Sequence, residues 1–179
     1  PRSLISRSTN SFNSFLVSAP DLPANGDTTF PKSFDMSIPN ITSELRQFAQ
    51  AIHIDKDLNI AGHSLGGSVA TVYASQYPFD TQSLFLLSSA GIYKQANTRY
   101  AKDPKTLKNL LVYKQGDFEQ VIQKLMTTPP KVPSELKEAQ EHILISKSSK
   151  TNQAIDQIVK LNRIYTPDTF AQLTRNVEA

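Results

Sequence analysis

Leu58-Asn59-Ile60-Ala61-Gly62-His63-Ser64-Leu65-Gly66-Gly67 joins a short apolar run to a helix-like stretch that continues to Tyr77. Its centre is a Gly-x-Ser-x-Gly pattern between a strand and a helix, which makes Ser64 a candidate covalent nucleophile. A serine at a sharp strand-to-helix turn takes a strained backbone conformation. Residues two positions to either side, Gly62 and Gly66, are expected to crowd it unless they lack side chains. The helix beginning at Leu65 aims unpaired backbone N–H groups at the turn, so the Leu65 N–H is the candidate donor to a developing oxyanion. His63 and Gly67 complete this elbow.

The flanking sequence repeats the alternation of strand and helix. Phe15-Leu16-Val17-Ser18-Ala19 reads as a buried strand, ended by Pro20 and the turn-rich Asp21-Leu22-Pro23-Ala24-Asn25-Gly26. Loop follows through Pro39. Ile41, Leu45, Phe48, Ala49 and Ile52 then recur at helical spacing, and Leu58–Ala61 is a second strand. The helix after Ser64 is expected to bury Leu65, Val69, Val72, Tyr73 and Tyr77, with Pro78 closing it. Leu84-Phe85-Leu86-Leu87 is a third strand, ended by Gly91. Nearly continuous apolar strands alternating with helices predict an α/β fold with a parallel sheet covered on both faces.

After Tyr93 strand signals almost vanish. Phe118, Val121, Ile122 and Leu125 form one helical stripe, Leu136, Ala139, Ile143 and Leu144 a second, and Ile155, Ile158 and Val159 a third. Pro129-Pro130 and Pro133 separate the first from the second, and Pro167 precedes a last short helix. These stripes are read as helix-packing faces, the alternative being a lipid groove, because every amphipathic helix must bury one face.

The 179 residues, 39% hydrophobic and 20% charged, suffice for one well-buried core plus a sizeable insertion. No apolar run approaches the roughly 20 residues that span a bilayer. With no cysteine, disulfides, thiolate metal sites and cysteine nucleophiles are excluded. The chain starts at Pro1 without a secretion signal, so either processing removed one or the chain begins partway into a longer protein. Residues 1–92 hold five Lys/Arg against seven Asp/Glu, net −2, and residues 93–179 fourteen against nine, net +5. The basic half reads as solvated Lys-rich helix faces, the alternative being attraction to an anionic surface such as phospholipid. No basic-aromatic cluster points to nucleic acid. Paired carboxylates, metal-ligand clusters and phosphate-cradling loops are absent at meaningful spacing, so neither metal nor cofactor is expected.

Together these residues resemble the α/β-hydrolase family, and within it the bacterial triacylglycerol lipases and the related monoacylglycerol lipases. Val17-Ser18-Ala19-Pro20-Asp21-Leu22-Pro23 looks like the family's strand and acidic-proline loop, and Gly62-His63-Ser64-Leu65-Gly66-Gly67 like its nucleophile elbow. Tyr77-Pro78 and Leu84–Gly91 resemble its next helix end and strand. Ala24 stands where that loop usually has glycine, with Asn25 next. Asp21 is read on the resemblance as a structural acid that satisfies backbone donors. The resemblance implies a partial α/β-hydrolase parallel sheet with a helical cap insertion: a core over 1–92, a cap or lid over 93–165, and a return segment over 166–179.

It also implies a triad ordered Ser, acid, His, with the acid after the strand beyond the cap and the His in a late loop. The alternative acid position after Leu84–Leu87 holds Ser88, Ser89 and Ala90. No His-Gly loop for the second oxyanion donor is found in Pro1–Ser14. Acid and base are therefore unassigned. His63 is expected to turn away from the Ser64 hydroxyl, His53 to lie near the opposite edge of the sheet, and His142 to sit solvated on a cap helix.

The expectation is a serine carboxylic-ester hydrolase of lipase or esterase type. It forms an acyl-enzyme on Ser64, with triad acid and His outside these 179 residues, so that the chain alone is inactive. A small-molecule ester or glyceride is the implied substrate, a lipid surface the implied partner, and a bacterial secreted or cell-envelope setting the implied location. The alternatives are a catalytically silent binding or structural unit whose exposed sheet self-associates, or another serine chemistry such as carbon–carbon hydrolysis or acyl transfer.

Overall fold

The computed structural model describes residues 3–10, 13–23, 25–90 and 103–161. The strand pair that carries the site is parallel. β3 (Leu58–His63) runs beside β4 (Thr81–Leu87), with Ile60 opposite Leu84, Gly62 opposite Leu86 and His63 opposite Leu87. Parallel strands need a crossover, and it is supplied by helix α2 (Leu65–Gln76), which starts one residue after Ser64. Strand alternation sorts the side chains: Ile60, Leu84 and Leu86 are half-buried, whereas Ala61, His63, Phe85 and Leu87 are exposed. Among the described residues the pair is thus covered on one face. The expectation of cover on both faces holds for the α2 side only, and Phe85 remains 63% exposed.

Helix α2 is buried all round, with every residue from Gly67 to Ala74 in the interior, rather than on the single stripe its hydrophobic spacing suggests. It packs between the two strands and helix α1 (Ile38–Ala51). Small residues allow this close approach, and two buried threonine hydroxyls return to their own helices. Thr71 Oγ1 donates to the Gly67 carbonyl and Thr42 Oγ1 to that of Ile38, both at 2.8 Å. Met36, Ile38, Ile41, Val69 and Val72 form the centre of the core. Tyr73 is 1% exposed, and burial pushes its phenol up to about 12, so it stays neutral at physiological pH. Arg46 Nε donates to Asp80 Oδ2 at 2.7 Å, and its guanidinium lies 4.3 Å from the Tyr77 ring centre, tying α1 to the turn before β4.

Helix α1 begins earlier than its apolar spacing indicates. Ser37 Oγ accepts the Asn40 N–H at 3.4 Å, and Pro39 is tolerated in the first turn, where its missing N–H has no partner to lose. A further element went unread. Ser3–Asn10 forms strand β1, antiparallel to β2 (Asn13–Pro20), with Ser3 opposite Pro20 and Asn10 opposite Asn13. Among the described residues this hairpin, which includes the strand read at Phe15–Ala19, pairs with neither β3 nor β4. Ser, Arg, Thr and Asn dilute the apolar signal of β1 to Leu4 and Ile5, leaving little for a hydrophobic pattern to detect.

The second half is helical where it is described. A 3₁₀ turn at Pro104–Leu110, capped by Asp103 Oδ1 accepting the Lys105 N–H, leads to α3 (Asp117–Leu125) and α4 (Ser134–Leu161). The last two stripes read from sequence fall on this single helix of 28 residues, because no glycine or proline interrupts it. Its Ala154 enters the core cluster beside Val69 and Val72. Gly116 at the α3 N-terminus has no side chain to cap with, and Glu141 of α4 takes that role. Glu141 Oε1 accepts the Gly116 N–H at 2.7 Å and the Phe118 N–H at 3.0 Å, and the residue is 8% exposed. Nearby, the Tyr113 and then the Lys114 N–H hold the Asp117 carboxyl below its ordinary value. The boundary at Tyr93, the helix after Pro167 and the return segment 166–179 lie outside the described residues.

Candidate active site

Ser64 is the residue between β3 and α2, and its backbone is at φ 52°, ψ −121°. A non-glycine residue in that region costs about 1–3 kcal/mol and persists only where surrounding bonds impose it. Here they do. The Ser64 N–H donates to the Leu87 carbonyl at 3.2 Å, and the Ser64 carbonyl accepts from the N–H groups of Gly67 at 3.0 Å, Ser68 at 3.4 Å and Ala90 at 3.0 Å. Its hydroxyl makes no capping bond and the residue is exposed. Backbone held and hydroxyl free is the arrangement a nucleophile needs. Ser88, one step beyond β4, also has positive φ, 42°, so two strained residues stand side by side at the C-terminal ends of paired strands. That edge is where α/β sheets place their ligands.

The first-turn N–H groups of Leu65 and Gly66 meet no acceptor among the described residues. They are the unpaired donors of a helix N-terminus and carry its partial positive charge.

The elbow glycines divide by what a side chain would meet. A Cβ on Gly62 would lie 2.4 Å from the Gly66 carbonyl oxygen and 2.7 Å from Gly67 Cα. On Gly67 it would lie 1.8 Å from Ser89 Oγ and 2.7 Å from Ser89 Cβ. On Gly66 it meets nothing within 4 Å. Among the described residues the expectation that both glycines flanking the serine are sterically required holds for Gly62 and not for Gly66: Gly62 and Gly67 each face neighbouring chain, while nothing lies against Gly66. Gly62→Ala is expected to lose about 1–3 kcal/mol or more. Gly66→Ala should fold at least as well as the parent, since alanine is the better helix former. Gly67→Ala should be destabilised and partly rescued by Ser89→Gly. Urea unfolding of the set checks the order, and a destabilised Gly66→Ala would contradict it.

Asp21, at the end of β2, uses Oδ2 to accept the Asp27 N–H at 3.1 Å, and its carbonyl accepts from Thr28 Oγ1 at 2.7 Å. Gly26 supplies the positive φ, 50°, that lets this loop fold over the carboxylate. Lys147 of α4 reaches the loop, donating Nζ to the Gly26 carbonyl at 2.8 Å. Leu65 at the start of α2 packs against the same core cluster that Ala154 of α4 joins.

The histidines are dispersed. His63 is exposed next to Ser64, His53 lies in the turn between α1 and β3, before the strand that ends at Ser64, and His142 is exposed on α4. Among the described residues no group of three His, Cys, Asp or Glu is placed to hold a metal ion, and no helix is long and apolar enough to cross a membrane. Sequence reading missed the part played by Ser68, whose Oγ donates to the Ala90 carbonyl at 2.6 Å, and by the Ser88–Ala90 turn. That turn offers no acid, and its contribution is backbone geometry, which residue types do not announce.

A profile of the α/β-hydrolase fold matches residues 6–153. Lipase 1 of Psychrobacter immobilis is 30% identical over 145 residues, covering 80% of this chain and 45% of that protein. The crystal structure of lip1 from Acinetobacter baumannii AYE, a lipase candidate, superposes with a TM-score of 0.85 at 48% identity, covering 92% of this chain and 55% of that one. A bacterial membrane phospholipase A, described as a virulence factor, superposes with a TM-score of 0.80 at 25% identity, covering 92% and 52%. The chain therefore spans about half the length of these relatives.

Proposed function

The chain belongs to the α/β-hydrolase family, and from that premise we propose that it is the nucleophile-bearing part of a serine carboxylic-ester hydrolase of lipase or esterase type. The observation that carries this reading is Ser64 itself: exposed hydroxyl, φ 52°, and a helix N-terminus with unpaired N–H groups directly behind it. In the proposed reaction the Ser64 oxygen attacks an ester carbonyl, and its proton passes to a histidine base. The negative charge on the carbonyl oxygen is held by the Leu65 N–H. The C–O bond then breaks, the alcohol leaves with that proton, and water releases the acid from the acyl-enzyme.

In this reading the base and its orienting acid are assigned to residues outside 1–179 rather than to His53, His63 or His142. The relatives named as lipases support glycerides or other lipid esters as the substrate class and a lipid surface as the setting. Solubility with secretion or envelope attachment is part of the same proposal, as is self-association through the exposed Phe85 and Leu87. The decisive experiment is whether ester hydrolysis by the full-length product of the reading frame depends on Ser64.

Residues 93–165 are proposed to act as a cap. Supporting this, α4 contacts the Asp21–Thr28 loop and the core cluster beside Leu65, and Glu141 fastens α4 to α3. Glu141→Ala leaves two N–H groups without their acceptor and should cost about 1–3 kcal/mol in urea unfolding. It should also lower kcat/KM for long-chain p-nitrophenyl esters more than for the butyrate. Equal losses would make the helical segment structural only.

A further inference from the structure

We propose that Ser68 is a positioning residue for the oxyanion-binding N–H of Leu65, acting through the turn Ser88–Ala90. This rests on the reading of Ser64 as nucleophile and Leu65 as donor. The Ser64 carbonyl and the Leu65 N–H are opposite ends of one planar trans peptide, so whatever grips the carbonyl fixes the direction of the N–H. Two of the grips on that carbonyl, from the N–H groups of Gly67 and Ser68, come from the helix itself. They are present at many helix starts. The third is not: the Ala90 N–H, from the turn after β4, donates to the same oxygen at 3.0 Å.

Ala90 is in turn held by Ser68, which is 4% exposed and donates Oγ–H to the Ala90 carbonyl at 2.6 Å. Hydroxyl, Ala90 and Ser64 carbonyl thus form a chain of hydrogen bonds ending at the peptide whose N–H faces the site. The turn is confined from the other side as well, since Ser89 packs against Gly67 with no room for a Cβ there. The Ala90 N–H polarises the Ser64–Leu65 peptide whose carbonyl it grips, so it both aims the Leu65 N–H and strengthens it as a donor, while Ser68 acts by holding Ala90 in place. A fixed donor stabilises the tetrahedral oxyanion without having to reorganise during reaction.

The consequence is a loss expressed in the transition state and not in substrate binding. In the full-length protein, Ser68→Ala is expected to lower kcat for p-nitrophenyl butyrate about tenfold with KM within about twofold. Affinity for a trifluoromethyl ketone, which forms a tetrahedral adduct on serine, should fall by the same factor. Ser68→Thr, which keeps the hydroxyl, should restore most of both. If Ser68→Ala does not fold, Ser68→Cys carries the test, keeping the volume while weakening the donor. A folded Ser68→Ala or Ser68→Cys protein with parental kcat and parental inhibitor affinity would overturn the inference. Ser64→Ala in the same assay separates the two levels. Parental turnover there sinks the nucleophile reading itself, whereas Ser64-dependent turnover unaffected at position 68 sinks only the clamp.

Discussion

Ser64→Ala in the full-length product of the reading frame should reduce ester hydrolysis by a factor of about 10⁶, the loss seen when the nucleophile of a serine protease is removed. A fluorophosphonate should label the parent at Ser64 and leave the variant unlabelled. Stability should hardly change, because the hydroxyl is exposed and caps nothing. The backbone makes a sharper statement possible. At φ 52° both serine and alanine are strained, so Ser64→Ala keeps the strain while Ser64→Gly releases it. Ser64→Gly should therefore be inactive yet more stable than the parent by about 1 kcal/mol, read as a raised unfolding midpoint. An inactive protein that gains stability locates the strain at the nucleophile. Labelling of another serine, or Ser64→Gly less stable than Ser64→Ala, would contradict the assignment.

The elbow was legible in sequence because its determinants are local. Gly62, Ser64 and the apolar run from Leu58 lie within seven residues, and each constraint acts between chain neighbours. The α1 and α2 helices and the strands β3 and β4 were legible for the same reason, through their apolar residues, although the exposure of one strand face was not. What escaped depends on partners distant in sequence. β1 has few apolar residues of its own and is defined by pairing with β2. The continuity of α4 across Ser146–Asn152 follows from the absence of a breaker rather than from any stripe. Gly66 looked indispensable by motif, yet the tight position after the serine is Gly67, set by Ser89 twenty-two residues away. The grip of Ser68 on Ala90 spans the same interval, |i−j| of 22, and leaves no mark in periodicity. Chemistry carried by residue type reads out of a sequence, while chemistry carried by backbone orientation needs the fold.

A polypeptide limited to residues 1–179 is expected to hydrolyse p-nitrophenyl butyrate no faster than its own Ser64→Ala variant. The reason is the base. A serine hydroxyl is a weak nucleophile until a neighbouring group takes its proton, and triad members act as a unit, so that losing histidine alone costs about 10⁶ in rate. The chain has three histidines. His53 precedes β3, whose six residues separate it from Ser64 at about 3.3 Å of rise each, so it belongs to the far end of the strand. His63 is at an alternate position on β3, exposed with Ala61, and His142 is exposed on α4. Replacing each with glutamine in the full-length protein should therefore leave turnover within a few-fold of the parent, in contrast to Ser64→Ala. The isolated polypeptide should also elute as an oligomer, because Leu16, Val17, Phe85 and Leu87 present apolar surface to water. Robust Ser64-dependent turnover by a mass-verified 179-residue monomer would overturn both expectations. It would make His142 the base to test, since it alone of the three sits on the helix that reaches the Asp21–Thr28 loop at the end of β2.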